Sequence, residues 1–330
     1  MIRRLSLILP ALLLTSAALA QAADDGTPAY TDAKAAGPDF AAQGEYVGEL
    51  KTNEGPKKFG LQVIALGKGK FRAVVYSGGL PGDGWEKGQK KRTHDGETKD
   101  GVVVITGDDG HLGKIKDGAL TVTDSGGNKL GEFKKIERKS STLGAKPPEG
   151  AVVLFDGKNA DAFEGGKMTP DGLLQVGTKS KQSFGSFHMH LEFRTPFMPT
   201  AGGQGRGNSG VFLHDCYEFQ VLDSFGLEGE NNECGGIYSI KAPRVNMCFP
   251  PLSWQTYDFD FTAPKFDAAG KKTANARVTL LHNGVAIFQD FELPNLTAGG
   301  RNHEAPTGPL QLQNHGNPVN FRNIWVVERK

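Results

Sequence analysis

Apolar and polar residues alternate along most of this chain with a period of two, the signature of half-buried strands. From Gly44 to about Arg138 the pattern breaks into short pieces: YVGEL, FGLQVIAL, KFRAVVYS, GVVVITG, ALTVTD and KLGEFKKIER. Turn sequences such as GKG, DDG, KDG and SGGN separate them, so the stretch predicts a small all-β domain over 44–139. The alternation resumes after residue 150. SFHMHLEFR places Phe187, Met189, Leu191 and Phe193 on one face and His188, His190, Glu192 and Arg194 on the other. WQTYDFDF, ARVTLLHNG, VAIFQDFEL, GPLQLQ and VNFRNIWVV follow. No ten-residue segment carries a capped helical stripe. About a dozen strands are too many for one open sheet, so residues 151–330 are expected to form two packed antiparallel sheets, an all-β sandwich of jelly-roll type.

Between the two units, KSSTLGAKPPEG is small, polar and proline-bearing, which predicts a short linker over 140–150. Residues 23–43 read as a flexible leader. The longest loop, 78–101, holds Trp85 among charges and glycines and is expected to be a surface loop anchored by that ring. MIRRLSLILPALLLTSAALAQA has a basic start, an apolar run and small residues at its end, so residues 1–22 are read as a secretory signal. The protein is accordingly expected to be exported, periplasmic or extracellular, with no membrane span after signal removal. A length of 330 residues with 45 glycines and 18 prolines suits two strand-and-turn domains. The formal net charge of +1 gives no electrostatic footprint for nucleic acid. There are three cysteines. In an oxidising compartment Cys234 and Cys248, which close a short Gly- and Pro-containing loop, are expected to form a disulfide, leaving Cys216 as a free thiol.

Candidate chemistry centres on RGNSGVFLHDCYEFQVLDS, residues 206–224. Tyr217, Phe219 and Val221 share the core face of a strand, whereas Glu218 and Gln220 share the other. Asp223 falls on the core-side parity, so the strand holds one carboxylate and lacks the pair that an ordinary glycosidase needs. Glu192 beside Arg194 could bind a polar ligand, and His188, His190 and Glu192 could share a cation or simply face solvent. RGNSG reads as a turn presenting Arg206 and Asn208. Gln311 and Gln313 share a face, and His315 sits in the next turn, where it could carry a proton.

Taken together, GAVVLFDGKN, FHMHLEFRTP, GQGRGNSGVFL, YEFQVLDS, CGGIYSIKAPRVNMC, SWQTYDFDFTAPKFD, RVTLLHNG and GPLQLQNHGNPVNFRNIWV resemble the bacterial 3-keto-disaccharide hydrolase domain, in order, over about 152–327. That family is also described as a 3-keto-glucoside 1,2-lyase and 3-keto-2-hydroxy-glucal hydratase. The resemblance implies a concanavalin A-like sandwich and a 3-keto-glycoside substrate, with a sugar 3-oxidoreductase as the functional partner that supplies it. A ketone at C3 acidifies the hydrogen at C2, so a single base can start an elimination. On this reading Glu218 is the base and His315 the proton donor to the leaving oxygen. Arg194 or Arg206 stabilises the enolate, and Glu192, Asn208, Gln220 and Gln313 orient the sugar. No cofactor is certain; a divalent cation could stand in for the arginine. A carbohydrate-binding lectin and a conventional glycan hydrolase are the competing readings.

Overall fold

The computed structural model describes residues 21–22 and 26–329; the expected signal segment lies almost entirely outside them. Strands Gly44–Thr52, Gly55–Gly67, Lys70–Ser77, Lys91–Lys99, Val102–Thr106, Leu112–Lys116, Ala119–Thr123 and Lys129–Ile136 pair in sequence, and the last returns to the first, closing an antiparallel barrel. Closure leaves no free sheet edge. Phe59, Leu61, Val63 and Ala65 alternate with Gly60, Gln62 and Ile64 along one strand. Leu61, Val63 and Ala65 belong to the barrel core, whereas Ile64 joins the core of the following domain. One strand therefore serves two cores, which explains the near-continuous apolar run that contains it.

Two calls about this half need correction. Within the expected leader, Tyr30 and residues 37–42 are tied down. Gly37–Ala42 is a helix with Pro38 in its first turn, where a missing N–H costs nothing. Asp39 Oδ2 accepts from Gly69 N at 3.0 Å, and Phe40 packs edge-on to Phe197 at 5.2 Å. Tyr30 bridges Phe197 through backbone hydrogen bonds. The few aromatic residues of a polar segment thus tie it between the barrel and the sandwich. Trp85 does anchor its loop, but at a junction: it is buried against Tyr76 at 4.9 Å, within the sandwich's own cluster.

The sandwich has two sheets. The larger runs in the order Val152–Phe155, Asn320–Arg329, Ser186–Arg194, Gln255–Thr262, Ala276–His282, Val285–Leu293. The smaller runs Phe163–Glu164, Thr178–Phe184, Gly308–Leu312, Ser209–Leu213, Tyr217–Val221. Phe187, Met189, Leu191 and Phe193 of the first meet Val211, Leu213, Phe219 and Leu312 of the second in one buried cluster. Burial of each such side chain is worth roughly 1.5–3 kcal/mol, so alternation sets the sheet faces. Strand Tyr217–Val221 is left at the edge of the smaller sheet, with its polar face turned away from the core.

Part of the outer face of the larger sheet, around His190, Glu192 and Asp258, is covered and withdrawn from solvent. Residues 140–145 lie across it as a strap. Thr142 Oγ1 donates to Asp258 Oδ2 (2.6 Å), Gly144 N donates to Glu192 Oε1 (2.6 Å), and Ala145 O accepts from Asn323 Nδ2 (3.0 Å) and Trp325 Nε1 (3.2 Å). Beneath it His190 Nδ1 lies 2.6 Å from Asp258 Oδ1, and Arg322 Nε donates to Glu192 Oε2 at 2.6 Å. Burial alone would raise the Glu192 pKa, but the nearby His190 imidazole, with Nε2 at 3.6 Å, and hydrogen bonds from Asn323, Gly144 N and Arg322 outweigh it and hold the carboxyl at about 2. Among the described residues, no group of three or more His, Cys, Asp or Glu side chains is placed to hold a metal ion.

Cys234 and Cys248, the expected disulfide pair, lie thiol against thiol in the core. All three cysteines are buried and present as free thiols. Cys234 Sγ meets Tyr257 Oη at 3.3 Å, while Cys248 Sγ finds the carbonyls of Phe249 (3.4 Å) and Leu222 (3.5 Å). The loop between them is also tied by Asn246, whose Nδ2 donates to Ser224 O, and just before it Glu233 Oε2 accepts from Gly229 N. Cys216 lies in the turn before its strand, so strand alternation does not extend to it. It points into the core, where burial pushes its thiol up to about 11.

The strap makes a prediction. Glu192→Ala strands several donors and should cost about 2–3 kcal/mol in urea unfolding. Because the folded pKa is depressed, the wild-type contribution is complete above about pH 4.5 and is lost as pH falls toward about 2. The gap between the two proteins should therefore close across that window; a constant gap would refute the assigned role.

Candidate active site

The edge strand Tyr217–Val221 pairs with Ser209–Leu213 in a register that sets Gly210 opposite Gln220 and Phe212 opposite Glu218. On the far side of Ser209–Leu213 runs Gly308–Leu312. Its continuation is anchored where Gln313 N donates to Gly210 O (2.9 Å) and Ser209 Oγ donates to Gln313 O (2.7 Å). These contacts bring Glu218, Gln220, Asn208, Gln313 and His315 around one cavity of about 180 Å³. That is small beside a typical drug-sized pocket and suits a single polar ring. Tyr238, Gln204 and the small residues Ala298 and Gly299 complete the wall.

Glu218 is 4% exposed. Its backbone N–H donates to Thr297 Oγ1 at 2.7 Å, and its carbonyl accepts from Tyr238 N at 3.1 Å, so the chain on both sides fixes it. No Lys or Arg lines the cavity. Burial without a compensating cation raises the Glu218 pKa to about 8. The space for the carboxyl comes from Gly210: a Cβ there would stand 2.4 Å from Glu218 Oε1.

Gln220 shares the polar face with this carboxyl. Its amide is assigned with nitrogen toward Glu218, so that Nε2 donates to Glu218 Oε1 (3.2 Å) and Ser209 O (3.1 Å). Beside it Asn208 Nδ2 donates to Gln204 O (2.7 Å). At the opposite wall Gln313 Oε1 is buried without a hydrogen-bond partner, an acceptor left open to a ligand hydroxyl. His315 is exposed at the rim.

Three of the expected site residues lie elsewhere. Glu192 is under the strap on the other sheet. Arg194 stacks over Trp254 at 5.0 Å, sharing that ring with Arg322. Arg206 is buried: its Nε donates to Asp223 Oδ2 (2.7 Å) and its Nη1 to Ala65 O of the barrel (3.2 Å), so it ties the two halves together. Each was placed by correct strand parity or turn position, but parity does not distinguish the outward face of one sheet from that of the other. Tyr238 and Gln204 were missed. Tyr238 lies in a turn and Gln204 in the 3-10 turn Gly203–Gly205, and only their contacts with the Glu218 strand reveal them.

A family model described as the 3-keto-alpha-glucoside-1,2-lyase-like domain matches residues 150–327, more than half of the chain. The chain belongs to that family, which places it among carbohydrate-active enzymes. Among solved structures, one "putative glycosyl hydrolase" of Parabacteroides distasonis ATCC 8503 is 35% identical, over 55% of this chain and 85% of its own, with a TM-score of 0.49. A second protein of the same description and organism is 18% identical, covering 55% of this chain and 95% of its own, with a TM-score of 0.42. No curated protein matches the chain.

The Gly210 contact generates a direct test. Gly210→Ala should push the Glu218 carboxyl aside and lower glycoside turnover about 100-fold, with an unchanged circular dichroism spectrum. Full activity in a folded Gly210→Ala protein would show that the position of the carboxyl does not matter.

Proposed function

We propose that this protein cleaves the glycosidic bond of 3-keto-glycosides by elimination followed by hydration. The observation that carries the reading is the lone buried carboxyl of Glu218, free of any cation. In its ionised form Glu218 takes the proton from C2, beside the C3 ketone. The electron pair moves onto the ketone oxygen as an enolate and then returns to expel the C1 oxygen, forming a C1=C2 double bond conjugated with the ketone. The departing oxygen takes a proton from His315 at the rim and leaves as an alcohol. Water then adds at C1, its proton restoring His315, and a proton returns to C2 from Glu218, so the sum is hydrolysis.

The enolate was expected to meet an arginine, and this is revised: Arg194 and Arg206 are both engaged elsewhere. Among the described residues, the lining amide nitrogen not engaged with another protein group is Gln313 Nε2, which can donate to the developing oxyanion. The cavity does not supply a three-ligand cation site, so no step is assigned to a metal. Gln313 Oε1 is suited to a sugar hydroxyl, and Tyr238 offers a second proton donor.

Glu218 is the only carboxylate lining the cavity, which disfavours a conventional two-carboxylate hydrolase. A lectin would gain nothing from holding an unpaired carboxyl away from water. The reading also includes export through the 1–22 signal and an oxidoreductase that makes the 3-keto sugar upstream. Among the described residues no helix is long and apolar enough to cross a membrane.

An NMR time course in deuterated buffer should show cleavage of a 3-keto-glucoside, deuterium at C2, and no cleavage of the unoxidised glucoside. Glu218→Gln should reduce kcat about 10³-fold, and His315→Ala should reduce it less when the leaving group is a nitrophenolate. Since the base must be ionised, kcat/KM should rise with pH through about 8. Comparable cleavage of both glucosides, or an undiminished Glu218→Gln enzyme, would overturn the mechanism.

A further inference from the structure

The barrel takes no part in the site above, yet its interior is only partly filled. At the end beside helix Gly37–Ala42, Tyr46, Val63, Ala65 and Phe71 pack together. Toward the other end the inward positions become small at Ala73, Val75 and Gly113, and a cavity of about 990 Å³ opens at the mouth. Its floor is apolar and buried: Leu61, Ile105, Leu120 and Phe133. An eight-stranded barrel is wide enough either to be filled by its own side chains or to hold one small ligand. Small residues at the inward positions select the second option here.

The mouth carries the opposite chemistry. Five cations, Lys51, Lys57, Lys58, Lys90 and Arg92, face three carboxylates, Asp108, Asp109 and Asp124. Lys57 pairs with Glu54, and Arg92 lies 3.4 Å from Asp108. Lys51, Lys58 and Lys90 make no ion pair among the described residues. The strand Lys91–Lys99 departs from the apolar-in rule of its neighbours. Its register sets Arg92 opposite Val75 and His94 opposite Ala73, so both are inward positions, and both line the cavity. Fixed positive charge at the edge of a low-dielectric cavity concentrates anions. The apolar walls below it offer few hydrogen bonds to a sugar.

We infer that the barrel cavity is a second binding site, for an elongated apolar molecule ending in an anionic group, of the fatty-acid type. The chain occupies the space above Leu61, Leu120 and Phe133, and the anion meets Arg92 with Lys58 and Lys90 at the mouth. This assignment is independent of the sugar chemistry.

The test uses the full-length protein with 1-anilinonaphthalene-8-sulfonate as the fluorescent reporter. Decanoate should displace it with an affinity about tenfold or more above that of decanol, and maltose should not displace it. Lys58→Glu combined with Lys90→Glu should weaken decanoate about tenfold while changing decanol less than about twofold. Gly113→Leu, which fills the cavity from a strand position with ordinary backbone angles, should abolish binding of both and leave glycoside turnover unchanged. If that variant does not fold, the charge-reversed protein still decides, since its substitutions lie on the rim. Equal affinity for decanoate and decanol, displacement by maltose, or no saturable displacement would each overturn the assignment.

Discussion

The site depends on one unfavourable arrangement: a glutamate held out of water with no cation beside it. Desolvation favours the neutral acid, so Glu218 keeps its proton to about pH 8. The unfolded chain would release that proton near 4.5, so this residue makes the fold less stable as pH rises between those values. Such a cost is tolerable only if the surrounding structure imposes it. Here the edge strand is clamped by Thr297 and Tyr238, Gly210 leaves the room, and the Gln220 amide lies against the carboxyl. A base with this environment has a strong affinity for a proton and little solvent to compete with it, which suits abstraction from carbon.

The rest of the molecule keeps that arrangement rigid. The jelly roll buries the reverse face of the Glu218 strand through Tyr217, Phe219 and Val221. Part of the outer face of the opposite sheet, with its own buried His190, Glu192 and Asp258, is covered by the strap from the interdomain segment. Arg206, bonded to Asp223 on one side and to Ala65 O on the other, fixes the turn that leads into the site and docks the barrel with the same guanidinium. Arginines that looked like catalytic candidates therefore stabilise the framework around an uncharged cavity.

Much of this was legible in the residues. Period-two alternation gave both β domains, the core face of SFHMHLEFR and the outward direction of Glu218, because burial forces parity. The order of motifs gave the family, and the grouping of Glu218, Gln220, Asn208, Gln313 and His315 followed from it. Three things were not legible. Parity cannot say which outward face a residue occupies, so Glu192 was drawn to the wrong sheet. Turn residues such as Tyr238 and Gln204 have no period to place them. Short polar segments around residues 37–42 and 140–145 read as leader and linker until groups in other elements are found to bond them.

The central claim is that Glu218 remains protonated well above the ordinary carboxyl range in the free protein. Infrared difference spectroscopy, comparing wild type with Glu218→Gln, would follow the protonated carboxyl C=O stretch of this one group during a pH titration. The account predicts a band that disappears with a midpoint near pH 8. Loss of the band near pH 4.5 would mean that Glu218 is an ordinary solvated carboxylate, and the single-base account would fail.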